Sequence, residues 1–579
     1  FEEECALAGA PRVIPFGPLF TALSKGATKL MLVDHSYLSL NQDVFAPLRD
    51  LIEEAGTLDE WETGLRISRY QAALWAEFED LADQSEAAVA WRATVDGLHD
   101  IGSVPPPPMP AGFVGELRPY QQAGYHWLAF LFEHKLGGIL ADDMGLGKTA
   151  QTLALIAHAA ERQPEGAPFL VVAPTSVVSN WKREAARFTP GLRVVEITAT
   201  QRKHGKSLAA VIAGADIVLT SYAILRLDAE AFADQDWGGL VLDEAQFAKN
   251  PASKVHDAAR GIHAPFRIAV TGTPIENNLT ELWALLRIVA PGLFPSSREF
   301  AEKYRRPIEL DHDSERLGRL RRRVRPFMLR RTKEAVAPEL PPKQEQVLEI
   351  TLDPRHRRIY DTHLQRERQK ILGLVDDLDR NRFIVFRSLT LLRMLSLDAA
   401  LIDPDGYANV PSAKLDALLE QLEDVVSEGH QALVFSQFTS FLQRAAERLD
   451  AHGISYSYLD GSTRQREKVI DGFRSGEGKV FLISLKAGGF GLNLTEADYV
   501  FLLDPWWNPA SEAQAVDRAH RIGQTKQVMV YRMVASGTIE EKVMALKLKK
   551  GELVSAVMDD DAFFSEALTA DDIRALLDE

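Results

Sequence analysis

The chain has 579 residues, more than one hydrophobic core organises, and at about 100–200 residues per domain it predicts about three to five packed units. Its 46% hydrophobic and 26% charged residues are ordinary for a globular protein, and the lack of any run of about 18 apolar residues excludes a membrane-spanning helix. The net charge of −16 argues at first against a polyanionic partner, yet net charge governs solubility and long-range steering, whereas local clusters decide grip.

The chain opens at Phe1 rather than methionine, as a trimmed or processed product would, and shows no secretory signal. Its single cysteine, Cys5, leaves no internal disulfide and no thiolate zinc cluster, which fits a reducing compartment. Up to about residue 104 the sequence reads as mostly helical, with amphipathic stretches at 45–54 and 72–81. Pro47 falls early enough in the first of these to be tolerated in an opening turn. A proline run at 105–108, followed by Pro110, predicts a stiff extended linker and a domain boundary. Residues 1–110 are therefore read as a helical accessory region with its linker.

From 111 to 290, short apolar runs alternate with amphipathic helical stretches. The runs are "GGIL", "FLVVAPT", "DIVLTSY", "GLVLDEA" and "FRIAVTGT". Rich in Val, Ile and Leu and without polar alternation, they predict strands buried on both faces of a parallel sheet, with helices as the crossovers. The region 291–410 is helix-rich and basic, with a long charged stretch at 356–372. Within it Arg319, Arg321, Arg322, Arg323, Arg325, Arg330, Arg331 and Lys333 form a basic cluster, either a solvated helix face or a grip on a polyanion. The strand grammar restarts over 411–557 with "ALVFSQF", "SYSYLDG", "KVFLISL" and "YVFLLD". Two doubly wound α/β units in tandem follow from this pattern. The last residues, 558–579, are acidic and read as a solvated tail.

The strongest local signal is "ADDMGLGKT" at 141–149, between a strand-like run and a helix-like one. In that context Gly145 and Gly147 let backbone N–H groups cradle phosphates, Lys148 reaches the β- and γ-phosphates, and the Thr149 hydroxyl can hold Mg2+. Asp142 stands where the common form of this loop has its first glycine. Downstream, "GLVLDEAQ" ends an apolar run on Asp243 and Glu244, at a strand end where a sheet presents catalytic side chains. Asp243 is expected to hold Mg2+, whose hard-oxygen preference suits this set, and Glu244 to orient and deprotonate an attacking water. The segment "EAQAVDRAHRIGQ" offers Gln514, Arg518 and Arg521, whose spacings of four and three predict one helix face. That face would carry the arginine finger that phosphoryl transfer uses, unless it is an ordinary salt-bridged surface.

Taken in order, these motifs resemble those of the Swi/Snf-type DNA translocases, helicase-like ATPases of superfamily two. The resemblance runs from about 117 to about 550 and implies two tandem RecA-like lobes. "LRPYQQAGYHW" looks like the adenine-reading segment, with Gln121 bonding the base, and "DDMGLGKT" is the family's own form of the phosphate loop. "APTSVVSNW" and "TSYAIL" look like motifs that grip the nucleic-acid backbone, pointing to Thr175, Ser176, Thr220 and Ser221. "TGTPIENNLTELW" looks like the coupling motif, and "RPFMLRRTK" like the family's extension of the first lobe. In the second lobe "SLKAGGFGLNLTEAD" implies Gly489 and Gly491 near the nucleotide and Ser484 and Lys486 near the DNA strand, while Arg518 and Arg521 enter the ATP site. Two departures stand out: Gln246 replaces the histidine of many members, and "LLRMLSLDAALID" follows its family counterpart only loosely.

The resemblance implies ATP and Mg2+ as cofactors and double-stranded DNA as partner. It also implies an unidentified DNA-bound protein as cargo, no membrane, and a monomeric motor. Its location would be the cytoplasm, on the nucleoid, in a bacterium, or the nucleus in a eukaryote. Backbone contacts carry no sequence information, so binding is expected to be sequence-independent and salt-sensitive. Trp506 and Trp507 either stack on DNA or belong to the core. A strand-separating helicase and an ATP-gated binding module remain as alternatives to a duplex translocase.

Overall fold

The computed structural model describes residues 104–275, 278–372, 378–485, 492–506 and 509–545, with a few positions between 19 and 45. The chain divides into two units. The first comprises Phe1–Ala141, Lys148–Ile275 and Leu279–Arg330; the second comprises Asp142–Gly147, Glu276–Asn278 and Arg331–Glu579. The amphipathic stretches at 45–54 (Phe45 apart) and 72–81, and the tail 558–579, lie outside the described residues.

Near its start the first unit holds, after helical positions at Leu19, Ala22 and Leu23, an antiparallel pair that the helical reading of this region did not anticipate: β1 (Lys29–Met31) against β2 (Tyr37–Ser39). It continues with β3 (Gly138–Leu140), β4 (Phe169–Ala173), β5 (Val194–Ile197), β6 (Ile217–Ser221), β7 (Gly239–Asp243), β8 (Arg267–Val270) and β9 (Met328–Leu329). These seven form a sheet in the order β5-β6-β4-β7-β8-β3-β9, parallel at every pairing. Strands β3, β4, β6 and β7 are buried at every position. Both faces therefore need apolar side chains, which is why the runs lack alternation. The C-terminal ends of parallel strands share one edge of the sheet. Strands β4, β7, β8 and β3 are neighbours there, so the segments following them are brought together.

The proline run has no regular structure and is tied to the helices behind the sheet. Tyr125 Oη, on helix Pro119–Glu133, donates to the Pro108 carbonyl at 2.9 Å. Phe113 stacks on Phe188 with centroids 5.5 Å apart. Further on, Met328 and Leu329 pair with Ile139 and Leu140 as an edge strand. Residues 291–330 belong to the first unit.

The second unit is a six-stranded sheet of β10 (Lys343–Ile350), β11 (Ala432–Ser436), β12 (Tyr456–Leu459), β13 (Val480–Ser484), β14 (Tyr499–Leu502) and β15 (Val528–Ala535). Its order is β10-β15-β14-β11-β13-β12, again parallel throughout. Successive side chains point to opposite faces. Ala432 and Val434 join one apolar core with Leu418 and Leu442, while Leu433 and Phe435 join a second with Phe481 and Val516. The expected tandem of doubly wound parallel sheets is observed. No described helix is long and apolar enough to cross a membrane.

Candidate nucleotide site and backbone-binding residues

Strand β3 ends at Leu140, and the chain turns through Gly145 (φ 86°) and Gly147 (φ 77°) into helix Lys148–Arg162. Both glycines occupy the left-handed region that L side chains rarely adopt, so the turn requires them. Lys148 and Thr149 open the helix, whose N–H groups and dipole favour an anion.

The loop Asp142–Gly147 is held by its partners in the second unit. Asp142 is fully buried and accepts two hydrogen bonds from the Arg331 guanidinium, from Nε at 2.9 Å and from Nη2. A carboxylate anchored in this way explains why aspartate stands where a glycine is usual. The Asp143 carboxylate accepts from the Lys333 backbone N–H at 3.0 Å, and its own N–H donates to the Arg331 carbonyl. The Lys333 ammonium in turn donates to the Asp517 carboxylate and to the His520 carbonyl. A Cβ at Gly145 would lie 2.7 Å from Cγ of Arg521, so only glycine lets these segments approach.

At the end of β7, Asp243 is buried. Its Oδ2 accepts from the fully buried Trp181 indole at 2.7 Å and its Oδ1 from the Glu244 N–H at 3.0 Å. Burial, and then the neighbouring Glu244 charge, push the Asp243 carboxyl well above the usual carboxylate range, opposed by the Trp181 hydrogen bond and the Lys148 charge. Tyr222 Oη donates to the Asp243 carbonyl at 2.8 Å, and burial holds that phenol protonated. Glu244 sits at φ 49°, ψ 55°, a left-handed conformation costing a non-glycine residue about 1–3 kcal/mol and concentrated at functional sites. Gln246 explains part of its restraint. Its Nε2 donates to Glu244 Oε2 at 2.9 Å, and its Oε1 accepts from the Thr271 hydroxyl at 2.9 Å. The Thr273 N–H closes onto that same hydroxyl. The substitution of glutamine for histidine therefore leaves the end of β7 wired to the segment after β8.

Gln121 lies in the first turn of helix Pro119–Glu133, where its Oε1 accepts from the Arg118 N–H at 2.9 Å and caps the helix. Thr175 and Ser176 open helix Thr175–Phe188, Thr175 exposed and Ser176 half-buried.

Several expectations are corrected. Thr220 is fully buried within β6 and donates to the Ile197 carbonyl of β5 at 3.1 Å, so its hydroxyl is not available to a backbone phosphate. Ser221 caps the following helix by accepting from the Ile224 N–H. Gln514, Arg518 and Arg521 do not share a helix face. Helix Pro509–Val516 stops before the arginines. The Arg518 and Ala519 N–H groups bond three residues back, and Gln524 Nε2 takes up the Ala519 carbonyl. The turn still brings the two arginines together, since each donates Nη1 to the Leu492 carbonyl at 3.4 Å. Gln514 is buried on the helix. Ser484 is buried at the end of β13, opposite Ser436. Lys486, Gly489, Gly491 and Trp507 lie outside the described residues, and Trp506 is half-buried.

The basic cluster also divides. Arg323 is buried and donates to Tyr304 Oη at 3.0 Å; Arg319 pairs with Glu315 at 2.8 Å; Arg331 and Lys333 serve the phosphate loop. Arg322 and Arg325 are exposed. Sequence reasoning did not single out Trp181 or Thr271, although both lie within quoted motifs.

Residues 120–397 match the SNF2-related domain and residues 413–523 the helicase conserved C-terminal domain. The Bacillus subtilis protein YwqA, provisionally named an ATP-dependent helicase/translocase, is 36% identical over 83% of this chain and 52% of its own length. The Arabidopsis thaliana ISWI chromatin-remodeling complex ATPase CHR11 is 36% identical over 83% of this chain and 46% of its own. The chain thus spans about half the length of these curated relatives. A solved Sulfolobus solfataricus SWI2/SNF2 ATPase core in complex with dsDNA is 32% identical over 78% of this chain and 95% of that one, with a TM-score of 0.39. With both matching domains present in order on two parallel sheets, the chain belongs to the SNF2 family of helicase-like proteins.

Proposed function

We propose that the chain is an ATP-driven translocase on double-stranded DNA that displaces or remodels bound protein without processive strand separation. One observation carries this reading. A buried, ionisation-resistant Asp243 stands beside a conformationally strained Glu244, on a strand one removed from the strand that leads into the phosphate loop. Relatives named as helicase/translocase and as chromatin-remodeling ATPase support the substrate class.

In this reading Gln121 holds the adenine, Lys148 the β- and γ-phosphates, and Glu244 orients the attacking water and takes its proton. Arg518 and Arg521 offset charge on the transferred phosphoryl group, a contribution worth about 10³–10⁵ in rate. The donor set fits Mg2+, because the Thr149 hydroxyl and Asp243 carboxylate are hard oxygens and the Asp243 carboxyl, crowded by burial and the Glu244 charge, gains from a neighbouring cation. Thr149 and Asp243 would hold that ion, which would supply positive charge to offset the phosphates. Thr175, Ser176 and Lys486 hold the DNA backbone, and alternating grips convert each hydrolysis into a step.

The test is ATP hydrolysis with and without duplex DNA, alongside a fluorescent strand-displacement assay. Duplex DNA is expected to raise the rate, Lys148→Ala to abolish it, and strands to stay paired. An unstimulated chain whose Lys148→Ala variant behaves like wild type removes the proposal; efficient unwinding replaces it with a helicase.

A further inference from the structure

The first sheet bears a cavity on the edge opposite to the one that feeds the phosphate loop. Strands β3 and β8 run parallel, with Gly138 beside Ile268 and Leu140 beside Val270. Arg267, the first residue of β8, therefore lies at their N-terminal edge, whereas the chain leaves β3 for the phosphate loop at the C-terminal edge. The cavity at the N-terminal edge holds about 300 Å³, and Arg260, Arg267, Trp283, Leu286, Arg287 and Phe294 are among its walls, all in the first unit. That volume is at the lower end of the span for ligand pockets, about 300–1,000 Å³.

Three guanidinium groups surround it. Arg267 donates Nη2 to the Ile262 carbonyl at 2.7 Å and Nη1 to the Ile288 carbonyl at 3.1 Å, tying the loop before β8 to the last turn of helix Leu279–Val289. Gly137 permits this closeness, since a Cβ there would stand 2.3 Å from the Arg267 carbonyl and 2.1 Å from the Val289 carbonyl. Both Arg267 acceptors are neutral, so these bonds leave its charge uncancelled. Arg287 lies over the Trp283 ring, 5.1 Å from the centroid, and among the described residues no carboxylate pairs with it. Arg260, exposed at the end of helix Lys254–Arg260, stands 3.8 Å from the exposed Asp257 carboxylate, a pairing worth little in solvent. Buried His256, held below the usual imidazole range chiefly by burial, also feels Arg260 and Arg287 as repulsion.

The floor decides which anion fits. Trp283 is buried, spends its indole N–H on the Pro295 carbonyl at 2.9 Å and carries Arg287 on its ring, so it is not the open platform on which nucleobases stack. The apolar Leu286 and Phe294 add nothing for a duplex backbone, whose outer surface is phosphate and sugar. Guanidinium forks match carboxylates two oxygens at a time, and an apolar side chain beside those carboxylates fills the floor. We propose that this cavity docks an acidic, aromatic-bearing peptide segment of a partner protein, gripped by Arg260 and Arg287. On a chain of net charge −16 such a segment is repelled over much of the surface, which sharpens its choice of this site. The docking is independent of the translocase reading and of ATP.

The experiment titrates the full chain into a short fluorescein-labelled peptide that alternates Asp–Glu pairs with Phe and Leu, read by anisotropy. Its comparators are the same peptide with Asn and Gln for the acids, and a duplex oligonucleotide. Wild type is expected to bind the acidic peptide at least about tenfold more tightly than the amide copy, and Arg260→Ala/Arg287→Ala to lose about tenfold for the acidic peptide alone, as anchoring arginines do. Arg287→Lys, which keeps the charge and loses the fork, should lose about threefold. Tm and unstimulated ATP hydrolysis of these variants stay at wild-type values, and Lys148→Ala binds the peptide as wild type does. Arg260 is exposed, so Arg260→Ala tests the site even where replacing Arg287 lowers Tm; it should lose about threefold. Equal binding of the acidic and amide peptides overturns the proposal, as does an unchanged affinity in Arg260→Ala and in the double variant. A double variant that loses duplex binding and keeps peptide binding also overturns it, assigning these arginines to nucleic acid. Failure here with DNA-stimulated hydrolysis intact leaves the translocase reading standing.

Discussion

The Trp181 indole donates to a carboxylate that burial and Glu244 both push toward its protonated form. A carboxyl whose folded pKa is raised contributes stability that is fully present at low pH and lost as pH rises through the raised value. Cation binding requires the ionised form, so the acid limb of the pH–rate profile should lie above the usual carboxylate range. Trp181→Phe keeps the ring and deletes the hydrogen bond opposing the shift. A hydrogen bond to a charged group contributes about 1.5–3 kcal/mol, and one pKa unit corresponds to about 1.4 kcal/mol. We expect the acid limb of kcat/KM to move up by about one unit in Trp181→Phe, measured from pH 5.5 to 9; an unmoved limb would show that the indole does not tune this group. The placement of Asp243 and Glu244 was legible, because an apolar run ending in acidic residues marks a strand end. Their restraints were not, since Trp181 lies 62 residues away in sequence. Thr220 shows the opposite limit: its motif named a hydroxyl, but only the β5–β6 ladder reveals that the neighbouring carbonyl has taken it.

Among the elements, strands buried on both faces could be read from continuous Val, Ile and Leu, as in β4, β11 and β13. Strand β10 could not. "KQEQVLEI" is polar and mostly exposed, and it is extended because it pairs along its whole length with β15, with Glu345 bonded to Arg532. The two-residue β9 carries no periodicity at all, and its reason is local. It delivers Arg331 to Asp142, a pairing across 189 residues that no motif spacing discloses. Breaking a buried ion pair by removing one partner costs about 3–5 kcal/mol, because the other charge is left uncompensated. Arg331→Ala and Asp142→Gly should each destabilise the folded chain by that order in urea unfolding. The double variant should lose clearly less than the two combined, since neither charge is then stranded. The glycine variant is instructive because it restores the usual loop formula and is nevertheless expected to be worse. Simple additivity in the cycle would show that the pair is dispensable to the loop.

For the whole molecule, a net charge of −16 must be reconciled with a polyanionic partner. Long-range repulsion between like-charged bodies slows encounter and is screened within about 10 Å at 0.1 M salt, so binding has to rest on short-range cationic contacts. The structure narrows which cations can serve. Arg323 and Lys333 are buried in internal bonds, the half-buried Arg331 pairs with Asp142, and Arg319 pairs with Glu315, whereas Arg322 and Arg325 face outward. Each phosphate contact contributes about −0.9 to the slope of log K against log salt concentration on duplex DNA. If the outward pair grips the backbone, Arg322→Ala/Arg325→Ala should bind more weakly and show a slope shallower by about one to two, uniformly across unrelated sequences. We expect that result from fluorescence anisotropy between 50 and 200 mM salt. A slope identical to wild type, with Tm preserved, would assign both arginines to the solvated face that sequence alone left open, and would move the search for the backbone grip to the helix N-terminus at Thr175 and Ser176.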